Sequence, residues 1–186
     1  MPAAHRRERH MELDQRLKTL ATGQSVADAI ASYIHAQGAD TPDPIDEARE
    51  ESEAIVEIMF LMAAVDGHIS DAEIQQLRAS IQAIEDMGAI DGVAVEPMLE
   101  SFTRGLDTEG WSQRLNDAAA RVRAPDARSF AFRLAAGVAF VDDFVAHAEA
   151  AAIDSLAAAF EIPKDEAQAI LRDVHDTLFG GPANDT

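Results

Sequence analysis

The sequence predicts an all-α fold, a bundle of about seven to nine helices that contains an internal pseudo-twofold repeat of helical hairpins. Apolar residues recur at three- and four-residue spacing along most of the chain, and no segment shows the period-two alternation of a half-buried strand. Hydrophobic residues make up 47% of the chain and aromatic residues only 5%. This composition favours closely packed helices over a sheet, which uses more β-branched and aromatic side chains.

A short motif occurs twice in the chain. The first copy covers Val65–Glu73 (VDGHISDAE) and the second covers Val141–Glu149 (VDDFVAHAE), 76 positions later. In both copies an apolar helix runs into an aspartate, a short turn follows, and a glutamate opens the next helix. Such a repeat predicts two helix–turn–helix units that bury their apolar faces against each other.

The first 44 residues are predicted to form an N-terminal helical extension that ends in a proline-containing linker. One helical stripe is interrupted at Gly23, and Ser25 is a suitable N-cap for a second helix. The segment Thr41–Pro44 contains two prolines and marks the best internal boundary. The chain is therefore predicted to divide into the extension 1–44, an all-helical domain 45–179 and a flexible tail 180–186.

Within residues 45–179, most predicted helices have a local start or stop signal. In the first half these signals are Asp66–Gly67 at the end of the third helix, Ser70 at the start of the fourth, Asp91–Gly92 before the fifth and Thr108 as cap of the sixth. In the second half, Pro125 starts the seventh helix and Asp142–Asp143 ends it. His147 lies near the start of the eighth helix, and Pro163 lies in the first turn of the last.

Charge and composition narrow the possible partners. The formal net charge is −19, which repels phosphate groups and argues against nucleic-acid binding and binding to anionic membranes. A protein partner of unknown identity is expected. There is no cysteine, which excludes disulfides and thiolate metal sites. No apolar run approaches the roughly 20 residues of a membrane span, and the basic start lacks the apolar core of a signal peptide. We therefore expect a soluble cytoplasmic protein without membrane insertion.

Four carboxylates recur in the repeat: Asp66, Glu73, Asp142 and Glu149. Each is spaced four residues from an apolar residue of its own helix, so all four are predicted to border the core face. The two aspartates lie at predicted helix C-termini, where free carbonyl groups add partial negative charge. Carbonyl and carboxylate oxygens are the ligands that Ca²⁺ and Mg²⁺ prefer. One interpretation is therefore a divalent-cation site formed by all four acids.

A purely structural role also explains the first copy. Ser70-x-x-Glu73 fits a capping box, in which the glutamate returns to the backbone of the serine, and Asp66–Gly67 is an ordinary way to leave a helix. In the second copy, however, Ala146 replaces the capping serine while the glutamate is kept. The acids recur better than the cap does, and both interpretations stay open.

Known catalytic motifs and other metal motifs are missing from the sequence. The EF-hand ligand spacing and the Glu-x-x-His pairs of di-iron bundles are absent, as are nucleophile elbows, phosphate-binding loops and zinc-protease motifs. His68 and His147 stand at different positions of the repeat, so we expect surface or capping roles for them. A protein without enzymatic activity is predicted, and acid–base chemistry by a carboxylate pair is a further alternative.

The segment Met62–Glu73 (MAAVDGHISDAE) resembles the signature of the TerB-like family, whose members are linked to tellurite resistance and to co-chaperones. The family repeats this element in its second half, as Val141–Glu149 does here, and Phe160–Glu166 resembles the link into the family's last helix. The match covers about residues 50–178. It implies an all-helical fold with pseudo-symmetry and divalent-metal binding at the four recurring carboxylates.

Two features depart from the family pattern. Asp143 replaces a glycine that is often seen in the second motif, and the His-Pro-Asp tripeptide of a J-domain is absent. The resemblance implies a role in a stress-response or tellurite-resistance assembly. We therefore expect a non-enzymatic TerB-like module that binds a divalent cation. The alternative is a co-chaperone-like interaction scaffold in which the acids are purely structural.

Overall fold

The computed structural model describes residues 12–23, 25–37, 44–88, 90, 94–141, 144–145 and 147–180. Within these residues the chain forms nine α-helices and one pair of two-residue strands. They are α1 Leu13–Ala21, α2 Val26–Gln37, α3 Pro44–Ala63, α4 Asp71–Asp86, α5 Val95–Glu109, α6 Trp111–Arg121, α7 Pro125–Ala139, β1 Phe140–Val141, β2 Phe144–Val145, α8 His147–Ala159 and α9 Lys164–Phe179. The predicted all-α bundle is confirmed, because the strands form only a local hairpin between α7 and α8.

Helices α3 and α7 form the centre of the bundle and pack against each other. Every residue from Ala54 to Met62 on α3 is buried, and every residue from Phe130 to Ala139 on α7 is buried or half-buried. A helix that is apolar on all sides needs neighbours on all sides. Accordingly, α3 also contacts α2, α4, α5, α6 and α8, while α7 also contacts α1, α2, α8 and α9.

The first two helices belong to the same hydrophobic core. Helix α1 packs against α4, α7 and α9, and α2 packs against α3 and α7. Leu17 and Leu20 of α1 are buried in the core, and they approach α7 so closely that a Cβ atom added to Gly137 would lie 2.5 Å from Cδ1 of Leu20. The boundary predicted at residue 44 therefore does not separate two cores.

Several local signals in the sequence have the predicted effect. Ser25 Oγ accepts a hydrogen bond from the backbone N–H of Asp28 at 3.3 Å, which caps α2 as expected. Pro163 marks the start of the last helix as expected, although it is the N-cap of α9 and not a residue of its first turn. Thr108, however, is not a cap: it lies inside α5, where its hydroxyl donates to the carbonyl of Arg104 at 2.8 Å. Helix α6 begins instead after Gly110, whose φ of 83° lets the chain reverse between α5 and α6.

Helices α3–α4 and α7–α8 are the two hairpins of the repeat, and they meet through their first helices. In the first copy the chain leaves α3 through a turn at Gly67, which has a φ of 85°. In the second copy α7 ends at Ala139, earlier than the predicted stop at Asp142–Asp143, and the chain enters the strand pair 140–141 and 144–145. Phenylalanine and valine favour extended backbone, which explains the early end of the helix. A pseudo-twofold relation between the hairpins stays a prediction.

Two side chains donate hydrogen bonds to backbone carbonyl groups at the ends of other helices. The indole Nε1 of Trp111 donates to the carbonyl of Leu61 at 2.7 Å, in the last turn of α3. Arg128 on α7 donates through Nε to the carbonyl of Val122 at 2.8 Å and through Nη1 to that of Phe160 at 3.4 Å, just beyond α6 and α8. The last carbonyls of a helix have no partner within it, so these contacts join the helices as well as closing them.

Candidate functional site

Asp66 follows the last turn of α3 and is exposed. Its Oδ1 accepts a hydrogen bond from the backbone N–H of His68 at 2.9 Å, which closes the turn after the helix. The expectation that Asp66 borders the core face is therefore wrong. The spacing of four residues from Met62 sets a direction only within a helix, and α3 ends at Ala63.

Glu73 lies in the first turn of α4 and is also exposed. Its Oε2 accepts from the backbone N–H of Ser70 at 2.8 Å and from the hydroxyl of Ser70 at 2.6 Å, while Ser70 Oγ accepts from the backbone N–H of Glu73 at 3.3 Å. This reciprocal arrangement confirms the predicted capping box. The prediction that Glu73 borders the core face is wrong, because the cap holds its carboxylate at the exposed start of the helix.

The second motif is described only in part. Asp142, Asp143 and Ala146 lie outside the described residues, and so does any prediction about their contacts. Glu149 lies in the first turn of α8 and is half-buried. Its Oε2 is shielded from solvent and has no hydrogen-bond partner among the described residues. Of the predicted ligands that are described, Glu149 alone has such an oxygen.

The predicted four-carboxylate cation site is not assembled by the described part of the chain. Within that part, no group of three or more histidine, aspartate or glutamate side chains is arranged to hold a metal ion. Because Asp142 lies outside it, cation binding by Asp66, Glu73, Asp142 and Glu149 stays a prediction. His68 and His147 are exposed, as expected for surface residues.

A buried ionic cluster between α3 and α6 was not predicted. Glu57 on α3 is only 1% exposed, and its Oε1 accepts from Arg114 Nε at 2.8 Å. Arg114 Nη2 and Arg121 Nη2, both on α6, also donate to its two carboxylate oxygens. Burial acts to lower the pKa of Arg114, but its hydrogen bond to Glu57 and the nearby charge raise it overall. The cluster thus has two permanent positive charges around one buried carboxylate.

Gly105 on α5 gives the guanidinium of Arg114 room to reach Glu57. A Cβ atom at position 105 would lie 3.0 Å from Arg114 Nε, which is closer than ordinary van der Waals contact. A side chain at position 105 on α5 would therefore crowd the Arg114 side chain that pairs with Glu57.

An acidic region lies at the start of α3, where five residues of α3 and Arg123 surround a surface depression of about 400 Å³. We call it the acidic depression, and it is lined by Asp46, Glu47, Arg49, Glu50, Glu53 and Arg123. Arg49 pairs with Asp46 at 3.7 Å and with Glu53 at 4.0 Å. The carboxylates outnumber the arginines, so the depression has a net negative charge and fits a cationic group better than an anionic one.

Glu51 lies next to the acidic depression but is almost completely buried, with 1% of its surface exposed. Its Oε2 accepts from the backbone N–H of Ala124 at 3.4 Å, and Arg123 Nε lies 3.7 Å from its Oε1. Burial raises the pKa of this carboxyl; the backbone N–H groups of Ala124 and Arg123 and the charge of Arg123 oppose that effect.

The sequence contains a signal that could have found the buried acids of α3. Glu51 precedes Ile55 by four residues, and Glu47 precedes Glu51 by four, so both continue the apolar stripe of the helix. Acids in line with an apolar stripe are unusual, because a buried carboxylate needs a partner. The sequence alone does not identify the partners of such acids: the buried Glu57 is paired with Arg114 on α6, 57 positions away.

Two further cavities lie outside these regions. One, of about 350 Å³, lies between the starts of α2 and α7 and is lined by polar residues including Ser25, Asp126 and Arg133. The other, of about 280 Å³, is mostly apolar and lies between α7, α8 and α9. Arg133, which lines the first of these cavities, pairs with Asp173 on α9 at 2.5 Å.

No family model, curated protein or solved structure matches this chain. The resemblance of its two motifs to the TerB-like family therefore stays a prediction. Among the described residues, no helix is both long enough and apolar enough to span a membrane.

Proposed function

We propose that this chain is a non-enzymatic, TerB-like interaction module that recruits a basic protein partner through its acidic surface, within a stress-response or tellurite-resistance type of assembly. The observation that carries this proposal is that the described acids of the first motif form hydrogen bonds within the fold. Asp66 and Glu73 serve the turn and the cap of the first motif, which is what a structural role for these acids requires. The family resemblance supplies the expected kind of assembly.

The distribution of cations supports a basic partner. Arg114 and Arg121 are engaged by the buried Glu57, and Arg128 is engaged by backbone carbonyls. Arginines used in this way cannot neutralise the rest of the surface, and the whole chain has a formal net charge of −19. A surface of this kind attracts cationic proteins and speeds their association.

Capture experiments with defined variants test the proposal. The immobilised 186-residue chain is incubated with extract of its own cells, and the retained protein is identified. We expect the same basic protein to be retained by wild type and by Asp66→Asn/Asp142→Asn, with or without chelator. We expect less retention at higher salt, because screening weakens contacts between exposed charges.

Charge-reversal variants test whether the acidic depression is the surface that binds the partner. Glu50→Lys/Glu53→Lys reverses two charges of the acidic depression and is expected to reduce retention. Asp165→Lys/Glu166→Lys reverses two exposed charges on α9 and serves as the matched control. Retention that falls equally with both pairs indicates a general charge effect. Retention that is insensitive to both pairs and to salt contradicts a partner recruited by the acidic surface.

A second candidate function is divalent-cation binding by Asp66, Glu73, Asp142 and Glu149, and the observation that favours it is the shielded, unpartnered Oε2 of Glu149 in the described part of the chain. Calorimetry with Ca²⁺, Mg²⁺, Mn²⁺ and Zn²⁺ compares wild type with Asp66→Asn/Asp142→Asn and Glu149→Gln. A cation site predicts binding heat in wild type that both variants reduce. Equal and negligible heats in all three proteins exclude it.

A further inference from the structure

Two carboxylates on α3 are equally buried but have very different surroundings. Glu51 and Glu57 are each 1% exposed. Glu57 accepts hydrogen bonds from the guanidinium groups of both Arg114 and Arg121. Two positive charges in direct contact compensate for the loss of water around this carboxylate.

The loss of water around Glu51 is compensated much more weakly by neighbouring donors and positive charges. Arg123 Nε lies 3.7 Å from its Oε1, beyond hydrogen-bond distance. Its other compensation comes from the backbone: the hydrogen bond from the N–H of Ala124 to its Oε2 is long, at 3.4 Å, and the N–H of Arg123 acts in the same direction, but together they do not outweigh burial. Arg123 is itself 44% exposed at the side chain, so water screens its charge.

Arg123 is also shared with two other acids. Its Nη1 lies 3.9 Å from Glu47 and its Nη2 lies 3.6 Å from Glu50. Three carboxylates therefore surround one guanidinium; Glu47 and Glu51 are both buried, and Glu51 is the more completely buried of the two. Among the described residues, the charged groups that act on Glu51 are Glu47 from α3 itself and Arg123 from the connection between α6 and α7. A buried, undercompensated carboxylate is more stable when it takes up a proton.

We propose that Glu51 is a proton-binding site that stabilises the junction between α3 and the α6–α7 connection in mild acid. Burial, followed by the nearby charge of Glu47, raises the pKa of Glu51 in the folded protein above the ordinary value of 4.5. The folded chain therefore binds this proton more tightly than the unfolded chain does. By linkage, stability falls as the pH rises from 4.5 through the folded pKa, and acidification restores it.

Thermal unfolding of wild type and Glu51→Gln over a pH series tests this proposal. Glutamine keeps an oxygen for the N–H of Ala124 but removes the charge. We expect Glu51→Gln to have a Tm about 3 °C higher than wild type at neutral pH, the size of shift that a modest gain in stability causes in a chain of this length. The difference is expected to shrink as the pH falls and to be smallest below 4.5, where the wild-type carboxyl is protonated in both the folded and the unfolded chain.

Glu57→Gln is the matched control, because it makes the same chemical change at the same depth on the same helix. It is expected to lower the Tm at neutral pH, since it leaves two guanidinium groups without their carboxylate. A Glu51→Gln variant that is less stable than wild type at neutral pH, or a Tm difference that does not change with pH, overturns the proposal.

A carboxyl ¹³C NMR titration of the intact chain gives a second measurement that does not depend on unfolding. The Glu51 signal is assigned by its absence in Glu51→Gln and is expected to titrate above pH 4.5. Titration at or below that value shows that Arg123 and the backbone compensate fully for burial and contradicts the proposal.

Discussion

At the level of single residues, buried charge in the described part of this protein is concentrated on α3 and is met by arginines of α6 and of the chain that follows it. Glu57 is enclosed by Arg114 and Arg121, whereas Glu51 shares the partly exposed Arg123 with two other glutamates. Burial alone does not decide what such a carboxylate contributes. The number of direct donors decides it, because each donor replaces hydration that was lost on folding.

Replacing Glu57 with glutamine should destabilise the protein by about 2 kcal/mol, because the change removes the buried carboxylate that Arg114 and Arg121 share. Arg114 then keeps only its contact with the exposed Glu109, at 3.4 Å. Urea-induced unfolding followed by circular dichroism measures the effect. Glu53→Gln, on the same helix but with 36% of its side chain exposed, should change stability by no more than about 0.5 kcal/mol. A Glu57→Gln variant as stable as wild type would show that the cluster does not contribute to folding.

At the level of helices, the close approach of α1 to α7 determines how α1 packs in the bundle. Gly137 on α7 faces Leu17 and Leu20 of α1, and the absence of a side chain lets the two helices pack with little space between them. Helix propensity alone would favour alanine at this position. The packing of α1 therefore opposes the local preference of α7.

Gly137→Ala should destabilise the protein by about 1–3 kcal/mol, the usual cost of forcing extra atoms into a filled core. A Cβ at this position would lie 2.5 Å from Leu20 Cδ1 and 3.2 Å from Leu17 Cδ2. Chemical denaturation of wild type, Gly137→Ala, Leu20→Ala and the double variant measures the coupling. The cost of Gly137→Ala should largely disappear in the Leu20→Ala background. A stabilising Gly137→Ala would instead show that α1 moves aside freely.

At the level of the whole molecule, the described helices share one hydrophobic core, to which α1 and α2 contribute Leu13, Leu17, Leu20, Val26 and Ile30. These side chains cover apolar surface on α3, α4, α7 and α9. Each large apolar side chain that is fully buried contributes about 1.5–3 kcal/mol. The loss of all five together is comparable to the net stability of an ordinary domain, about 5–15 kcal/mol.

A chain that starts at residue 44 should therefore lack a cooperative unfolding transition and should bind hydrophobic dyes. Near-ultraviolet circular dichroism, differential scanning calorimetry and dye fluorescence measure these properties. Addition of a peptide covering residues 12–37 should restore part of the cooperativity, because it supplies the missing core residues. A sharp transition and an unchanged near-ultraviolet spectrum for the shortened chain would support the predicted extension instead.

Local signals explain why so much of the element order could be predicted. Ser25, Ser70 and Pro163 act within one or two turns of their own position, so their effects do not depend on the rest of the fold. Thr108 shows the limit of such signals. Its hydroxyl bonds to the preceding turn of α5, and the actual break occurs at Gly110, where positive φ is required.

The roles of the acidic residues were harder to predict than the order of the helices, because local spacing does not distinguish a cap from a cation ligand. Asp66 and Glu73 form hydrogen bonds within three residues of themselves, so their types and spacing permit a cap and a ligand equally. Glu51, Glu57 and Gly137 owe their roles to residues at least 57 positions away. Their spacing within one helix indicates burial but does not identify the partner.

The sequence by itself determined the all-α class, most helix limits, the repeated hairpin and the acidic surface, because periodicity, caps and charge act over short distances or through composition. Only the tertiary structure decided that α1 and α2 share the central core, that arginines of α6 enclose Glu57, and that Glu51 has weaker compensation than Glu57. These outcomes depend on which distant side chains come together, and chain topology sets that, not local preference.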